Sequence, residues 1–438
     1  MKKALVCLCC LLFAGGAFAE EKAGPFSVHG DVSVFTRYTK NPKFGGEEGQ
    51  HGYTPDTTYG EVYGSISLTG ETQTEYGTLS GELRPYFVTT LGEDFFGIMK
   101  NGENVYAEYA GKDKHPSNRG FDQAWVKLSQ AAGLPVDITL GRQDIFIEKG
   151  FLIGISGDAA NGIWFGGPES FSMALRLDGS LGGVDWTGFC ARSDNYRDAL
   201  EDNVKTMGLN LHYNVTESAY LYGGIYQKDE PRVGKSGSTQ IDTYENDTLT
   251  YNLGGEVGVG PVVLEGELAL QRGDIVDKDR KKMERDSKAY WVSGTYYTEM
   301  PMAPYLRLMY QSYSGDGVSG TYDSLHSGVS GWNRFFTGEL VGECQMINSN
   351  RENIVVEMGL FPSETSMVTL SYINHRKEES QGSKNWADEI NLFWDGTIKE
   401  NITLHLGTGY AIARGAAKKE YGASDDAIFA QMQVAYSF

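Results

Sequence analysis

Apolar and polar residues alternate along most of this chain. In the stretch 427–438, AIFAQMQVAYSF, every second residue from Ile428 to Phe438 is apolar or aromatic, while the intervening residues are mostly small or polar. A repeat of two predicts a β-strand whose two faces meet different surroundings. The pattern fits a strand with one face in lipid, and it also fits a half-buried strand of a soluble β-protein. The other stretches of the chain distinguish the two.

Seventeen further stretches show the same alternation. They are 26–39, 59–74, 77–91, 120–129, 134–146, 171–178, 184–193, 204–214, 219–228, 248–259, 262–272, 288–297, 305–312, 353–361, 367–376, 388–398 and 402–414. Short connections alternate with long polar ones, which is typical of transmembrane barrels and not of soluble sandwiches. We therefore predict an all-β fold, a transmembrane antiparallel β-barrel of about eighteen strands with short periplasmic turns and long extracellular loops.

Sixteen to twenty strands are also compatible with this pattern, because strand boundaries are its weakest part. We expect 427–438 to be the closing strand and to pair with 26–39. Pro85 lies inside a predicted strand and should mark a local kink.

The start of the chain has the features of a secretory signal peptide. Lys2 and Lys3 precede an apolar run, and Ala17-Phe18-Ala19 is a cleavage motif. We assign residues 1–19 to the signal peptide and 20–438 to a single barrel domain, with no predicted lipid anchor. The domain includes a long loop at about 313–352, which could fold into the lumen because it carries Trp332, Phe335, Phe336 and a strand-like run over 337–344. Cys190 and Cys344 could form one disulfide or remain separate thiols.

Composition excludes several classes of function. The net charge of −20 argues against nucleic-acid binding, which requires a basic surface. Ser156 lies in a sequence that lacks the spacing of a nucleophile elbow, and the seven histidines show no metal-ligand spacing. We predict no enzymatic activity, no cofactor and no metal site. The acidic loop runs around Asp274 and Asp425 could bind divalent cations beside lipopolysaccharide phosphates, but their spacing matches no calcium loop and most such runs are simply solvated.

Two stretches carry a family resemblance. In 121–165 a strand ends in the turn Gly133-Leu134-Pro135, the next strand runs into Gly141-Arg142-Gln143, and a glycine-rich loop follows. The second stretch begins at Gly331 with GWNRFFTGELVGE and continues to the last strand. Together they resemble the alginate export porin family over roughly a third of the chain. The resemblance implies a monomeric outer-membrane barrel that passes a hydrophilic solute or a polysaccharide.

The last residues are similar to the C-terminal assembly signal of bacterial outer-membrane barrels. Phe438, Tyr436 and Val434 would form this signal, which implies the barrel assembly machinery as a partner. Outer-membrane lipid and lipopolysaccharide would be further partners.

Alternation predicts which side chains face the lumen. The inward basic residues are Arg37, Arg84, Lys127, Arg176 and Arg307, and inward acidic residues such as Glu82 are as numerous. Arg142 shares the lipid-facing parity of Leu140, so only a bulge would turn it inward; the resemblance places it in the lumen or at its rim. Fixed cations in a narrow pore would attract an anionic solute. Ion pairs that brace the wall explain the same residues, and the mixed charge puts alginate itself in doubt.

Aromatic residues on the lumen face could stack on sugar rings or belong to the interfacial girdles. They are Tyr63, Tyr86, Trp125, Tyr220, Tyr222, Tyr226, Tyr290 and Tyr296. We predict an outer-membrane channel in which the solute pathway includes Arg37, Arg84, Lys127, Arg142, Arg176, Arg307, Glu82, Tyr86 and Trp125. The alternative is a scaffold barrel that encloses or anchors a periplasmic or surface partner, such as a cytochrome or a polymer.

Overall fold

The fold is taken from a computed structural model of the chain. The structure describes residues 26–41, 44–45, 56–92, 99–100, 103–104, 117–154, 170–194, 202–231, 243–277, 281–315, 322–323, 325, 338–344, 349–380, 382–422 and 424–438. The predicted signal peptide lies outside these residues, as do Trp332, Phe335 and Phe336. No helix among the described residues is long and apolar enough to cross a membrane.

The described chain is almost entirely β-structure. Its strands are β1 (Phe26–Lys40), β2 (Asp56–Thr74), β3 (Gly77–Gly92), β4 (Met99–Lys100), β5 (Glu103–Asn104), β6 (Ser117–Ser129), β7 (Val136–Gln143), β8 (Phe171–Leu181), β9 (Val184–Asp194), β10 (Asp202–Thr216), β11 (Ala219–Pro231), β12 (Thr243–Val259), β13 (Val262–Asp277), β14 (Lys282–Tyr297), β15 (Tyr305–Tyr313), β16 (Arg351–Ser363), β17 (Ser366–Arg376), β18 (Asn385–Lys399), β19 (Ile402–Ala413) and β20 (Ala427–Ser437). Two short helices, α1 (Val341–Cys344) and α2 (Gly415–Tyr421), and a 3₁₀ turn at Ala131–Gly133 complete it.

Eighteen of these strands form one closed antiparallel barrel, and β4 pairs only with β5. Each barrel strand pairs with its neighbour along the chain, and β20 pairs with β1, from Asp31 opposite Ser437 to Lys40 opposite Ile428. The structure confirms the predicted fold class, the predicted number of eighteen strands and the predicted pairing of the last strand with the first. Closure leaves no unpaired sheet edge, which a membrane-spanning sheet requires.

Side chains alternate between two surroundings along every strand. On β10, Met207, Leu209 and Leu211 point outward and are exposed, while Thr206 and Asn210 point inward and are buried. The same alternation places apolar side chains on the outer surface and mostly polar side chains inside, as in a barrel that faces lipid. The predicted kink at Pro85 is confirmed, because the pairing of β3 with β6 shifts register between Arg84 and Pro85.

The seam between the first and last strands depends on a small residue. The amide of Phe438 donates to the carbonyl of Gly30, and the amide of Gly30 donates in return to the carbonyl of Phe438 (2.9 and 2.8 Å). A Cβ atom on Gly30 would lie 2.2 Å from the ring of Phe438. The ring of Phe438 also stacks on Tyr436, with centroids 5.8 Å apart. Gly30 therefore provides the space in which this aromatic end packs.

Parts of the long loops pack against the inner wall. We name three inner segments: 144–154, which follows β7; residues 322, 323 and 325, which follow β15; and 338–344, which precedes β16. Ile145, Phe151 and Ile153 of the first are almost fully buried, as are Tyr322 of the second and Leu340 of the third. The strand prediction for 337–344 is wrong: a turn and helix α1 occupy the described part of this run, 338–344. β7 ends at Gln143, three residues before its predicted end at 146, where the chain leaves the wall.

Candidate functional site in the barrel lumen

Arg84 lies inside the barrel within a group of carboxylates. Its guanidinium contacts Glu82 Oε1 at 2.6 Å and Asp122 Oδ2 at 3.3 Å. Ser67 Oγ also donates to Glu82 (2.7 Å), which holds this carboxylate against the wall. The Arg84 side chain remains 32% exposed, whereas Glu82 and Asp122 are 10% and 15% exposed. The cation is therefore the part of this group that water and solute reach most easily.

Lys127 and Arg176 lie at the same level of the wall and are separated by strand β7. Lys127 of β6 is opposite Thr139 of β7, which is opposite Arg176 of β8. Lys127 Nζ contacts Asp137 at 2.6 Å, and Arg176 Nε contacts Asp178 at 2.8 Å. Both cations are about a third exposed, at 33% and 29%. Each cation thus has a carboxylate partner on the side of the short turns and keeps an open side toward the lumen.

The strand pairing is irregular around Arg142. Gly141 has φ +126°, and a Cβ atom there would lie 2.3 Å from the carbonyl oxygen of Ala124, so only glycine fits. The pairing of β7 with β8 shifts register between Gly141 and Gln143. Arg142 then donates to the backbone carbonyl and Oγ of Ser170 (3.3 and 3.2 Å), and Ser170 Oγ donates to the carbonyl of Asp122. Alternation gives Arg142 the outward parity of Leu140, and its placement in the lumen or at the rim, which the resemblance implies, stays a prediction.

We name Arg84, Lys127, Arg142 and Arg176 the basic track. Arg84, Lys127 and Arg176 lie on the inward faces of β3, β6 and β8, and Arg142 lies on β7; we name these four neighbouring strands the open sector. Because like charges recur on four consecutive strands with carboxylates between them, the track is a series of partly neutralised cations along one side of the lumen. Such an arrangement offers weak, repeated contacts to an anion.

The two remaining predicted cations are held more tightly. Arg37 is almost fully buried, donates to the carbonyl of Glu339 (2.7 Å) and pairs with its carboxylate (3.3 Å). Its guanidinium also lies 4.9 Å from the ring centre of Phe429. Arg307 pairs with Glu357 (3.0 Å) and donates to Thr295 Oγ1 (3.2 Å). Arg37 attaches an inner segment to the wall, and Arg307 braces β14, β15 and β16.

The predicted lumen aromatics divide into two groups. Tyr86 is buried on the inner face and stacks on Tyr63, with centroids 6.3 Å apart, and Trp125 lies on the inner face of β6 opposite Glu82. Tyr220, Tyr222 and Tyr226 also face inward. The lumen prediction is wrong for Tyr290 and Tyr296, which share the outward parity of the exposed Val292 on β14. Within 288–297 both faces of the strand carry aromatic residues, so alternation alone does not distinguish the lumen face from the lipid face.

Lys149, at the tip of the first inner segment, is a lumen cation that the sequence did not reveal. Its Nζ contacts Glu256 (2.6 Å) on β12 and Glu265 (3.4 Å) on β13. Burial alone would lower the pKa of Lys149, but hydrogen bonds to Glu256 and Tyr220 raise it above its usual value. This ammonium therefore stays charged where the segment crosses the lumen.

The preceding residue fixes the same tip. Glu148 accepts hydrogen bonds from Asn210 (2.6 Å) and lies 3.1 Å from His212 Nδ1. Glu148 has φ +53° and Gly150 has φ +76°, and the amide of Ile147 donates to the carbonyl of Ile153, which closes a tight turn. Loop residues show no alternation of apolar and polar side chains, so the sequence pattern did not predict this contact.

The second inner segment is attached by Asp323. Its carboxylate contacts Lys228 Nζ (3.4 Å) and accepts from Asn246 (2.6 Å), while its backbone bonds in both directions to Gln271. Burial alone would raise the pKa of Asp323, but the charges of Lys228 and Arg285 hold it well below its usual range. The carboxylate is therefore ionised across the physiological pH range, and this attachment is permanent.

The third inner segment is attached by Glu389 of β18, which is fully buried. Glu389 accepts the amides of Leu340 (2.9 Å) and Val341 (3.0 Å) and lies 3.2 Å from His375 Nε2. A Cβ atom on Gly338 would lie 2.5 Å from the same carboxylate. Glu389 and Arg37 together hold this segment across the seam between β20 and β1.

A cavity of about 550 Å³ lies at the end of the barrel that carries the short turns. Phe361, Asp395, His405 and Gln433 are among its lining residues, and His405 Nδ1 contacts Asp395 at 2.7 Å.

No group of three or more His, Cys, Asp or Glu among the described residues could hold a metal ion. Cys190 is a free thiol on the outer face of β9, so it does not form the disulfide considered with Cys344.

Comparisons with known proteins agree with this architecture. A family model described as Gram-negative porin matches residues 4–330. The chain is similar to the structure of OpdK of Pseudomonas aeruginosa with vanillate, with 14% identity and a TM-score of 0.56 over 94% of this chain and 98% of that one. It is also similar to OccAB1 of Acinetobacter baumannii, with 11% identity and a TM-score of 0.57 over 94% and 96%. Among curated proteins none matches.

Proposed function

Because this chain belongs to the Gram-negative porin family, it is an outer-membrane channel for hydrophilic solutes, and we propose that it selects small anionic ones. Porins are passive channels, so the predicted outer-membrane location and the prediction that the chain is not an enzyme are confirmed by the family. The chain lies in outer-membrane lipid and lipopolysaccharide. A monomeric state and recognition of Phe438, Tyr436 and Val434 by the barrel assembly machinery remain part of the proposal.

The observation that carries the anion proposal is the basic track. Arg84 is two to three times as exposed as either of its carboxylate partners, and Lys127 and Arg176 are about a third exposed. An anion can approach the open side of each guanidinium or ammonium without first breaking the ion pair. The neighbouring carboxylates keep each contact weak, so the anion can leave and move to the next cation.

The ring of Tyr63, which stacks on the buried Tyr86, and the side chain of Trp125 lie near Arg84 and would offer apolar surface to the same solute. Amphipathic organic anions would therefore contact both the cations and the rings. One similar structure contains vanillate, a small aromatic carboxylate, which supports a solute of this kind.

The inner segments favour a small solute over a polymer. Phe151 and Ile153 of the first segment, Tyr322 of the second and Leu340 of the third pack against the inner wall, so they occupy lumen space that a polysaccharide chain would need. The family match supports the porin function and gives no support to alginate export specifically. We therefore place small organic anions ahead of alginate as the transported class.

Conductance in planar bilayers tests the proposal. We expect the purified protein to conduct, to show an anion-favouring reversal potential in a KCl gradient, and to show current block by millimolar benzoate. R84Q together with R176Q should lower both the anion preference and the block. R272Q is the matched control, because Arg272 is exposed on the outer face of β13 and should leave both unchanged.

Three outcomes would contradict the proposal. A reversal potential that favours cations would remove the anion selectivity. Block by alginate oligomers but not by benzoate would favour the hypothesis that the channel passes a polysaccharide. A barrel that does not conduct would support the scaffold alternative, in which the inner segments seal the lumen.

A further inference from the structure

Two cations lie directly opposite each other on the outer surface of the barrel. Arg192 of β9 pairs in register with Lys205 of β10. Both side chains are exposed, and the residues before and after each of them in the chain are buried against the interior. The two side chains therefore point away from the lumen, next to each other on adjacent strands about 4.8 Å apart.

The position of this pair relative to the membrane follows from the outward residues below it. Toward the short turns, the next outward pairs on β9 and β10 are Cys190 with Met207, Gly188 with Leu209, Trp186 with Leu211, and Val184 with Tyr213. This is an uninterrupted apolar and aromatic band. Arg192 and Lys205 come directly after the band, near the ends of β9 and β10 that lead to the long connection. In an outer-membrane barrel that level is the headgroup region of the outer leaflet.

The charges near the pair define the size of the patch. Like charges directly opposite each other on neighbouring strands destabilise a sheet, unless an anion lies between them. Lys205 makes no hydrogen bond or ion pair with any residue that the structure describes. On its other side Lys205 is opposite Asp229, which is followed in the same register row by Asp247 and Asp274. The cationic patch is thus limited to two strands, about the width of one phosphorylated headgroup.

We propose that Arg192 and Lys205 bind a phosphate group of a phosphorylated glycolipid of the lipopolysaccharide type in the outer leaflet. A guanidinium can hold two phosphate oxygens at once, and the adjacent ammonium supplies a compact second charge. The acyl chains of the same lipid would lie on the apolar band formed by Trp186, Leu209 and Leu211. The acidic side chains of the row that begins at Asp229 would repel a phosphate, so the phosphate would bind on the side of Lys205 that faces Arg192.

Titration of the detergent-purified protein with lipopolysaccharide, followed by native mass spectrometry, tests the proposal. The double variant R192Q/K205Q should bind lipopolysaccharide about tenfold more weakly than the unmodified protein, because it lacks both cations that would contact the phosphate. Dephosphorylated lipopolysaccharide should bind both proteins equally. Inorganic phosphate at millimolar concentration should compete only weakly, because it lacks the acyl chains.

K282Q is the matched control, because Lys282 is also exposed on the outer face but already pairs with Asp274 at 2.7 Å. Equal binding by the double variant and the unmodified protein would overturn the proposal, and so would an equal loss in K282Q. A loss that persists with dephosphorylated lipopolysaccharide would overturn the phosphate assignment. Folding of each variant is checked by its heat-dependent mobility in SDS gels. Conductance should not change, so failure of this proposal leaves the channel proposal intact.

Discussion

The open sector and the opposite part of the lumen wall fill their inward positions in two different ways. In the open sector, Arg84, Lys127 and Arg176 pair with carboxylates and remain partly exposed. In β9 to β18, which we name the covered sector, inward residues such as Ala269, Ala289 and Trp291 are almost fully buried against the inner segments. The open wall carries partly exposed ion pairs, whereas the covered wall buries alanine and aromatic residues together with enclosed polar groups such as Glu267, Arg285 and Glu389.

The difference follows from what each sector contacts. A charged side chain needs water or a fixed partner, so the open sector keeps its cations beside carboxylates and solvent. The covered sector combines alanine and aromatic residues with buried polar groups such as Gln271 and Glu389, which bond directly to the inner segments and take the place of water. Stability should therefore depend mainly on the covered sector, and selectivity mainly on the open sector. Three substitutions test this division, and a fourth tests the seam between β20 and β1.

Replacement of Glu389 by alanine should have the largest effect on stability. It would leave His375 and the amides of Leu340 and Val341 without their common acceptor, and loss of one member of a buried network costs about 4 kcal/mol. Chemical unfolding in micelles measures the change. Glu284→Ala, on the exposed outer face of β14, should change stability little. Equal effects of the two substitutions would remove the distinction between inner and outer carboxylates.

Replacement of Phe151 by alanine should come next. Phe151 is almost fully buried and packs against Tyr313 and Tyr322, with ring centroids 6.0 and 6.4 Å away. The cavity should lower the free energy of unfolding by about 3 kcal/mol and loosen the first inner segment, which should increase conductance. Phe146 belongs to the same segment but is exposed, so Phe146→Ala is the control. An unchanged conductance for Phe151→Ala would show that this segment does not limit the pore.

Replacement of Gly30 by valine tests the seam, which belongs to neither sector. The added side chain would displace the ring of Phe438 from the outer face, and overpacking of this kind costs about 2 kcal/mol. Thermal unfolding and the rate of refolding into lipid vesicles measure the effect. Valine at Gly294, where a Cβ atom would meet only Leu264 at 3.3 Å, is the milder comparison. If both variants fold equally well, the ring of Phe438 does not need the space above Gly30.

Replacement of Arg84 by glutamine should have the smallest effect on stability and a clear effect on selectivity. Partly exposed ion pairs contribute less than about 1 kcal/mol, so the melting temperature should hardly move. The anion preference should fall, because one step of the basic track is lost. Arg307→Gln offers the comparison within the lumen, since Arg307 braces the wall outside the track. A large loss of stability with unchanged selectivity would assign Arg84 to the wall instead of the pathway.

The alternation of residues by itself determined the barrel. It gave the eighteen strands, their order, the closing pair of 427–438 with 26–39, and the inward direction of Arg37, Arg84, Lys127, Arg176 and Arg307. It could do so because side chains of a strand repeat every two residues and the two faces of this sheet meet lipid and water. Where the strand pairing is irregular, as between Gly141 and Gln143, the period alone does not decide the direction of Arg142.

Only the tertiary structure decided how the lumen is filled. The contacts of Lys149 with Glu256, of Asp323 with Lys228, and of Glu389 with Leu340 join residues far apart in the chain, and one residue of each pair lies in a loop without periodicity. The sequence showed that cations and carboxylates are equally available inside, but not which of them meet. Distance and burial separate Arg84, which keeps an open side, from Arg37, which is enclosed, because pairing and exposure depend on which segments fold across the barrel.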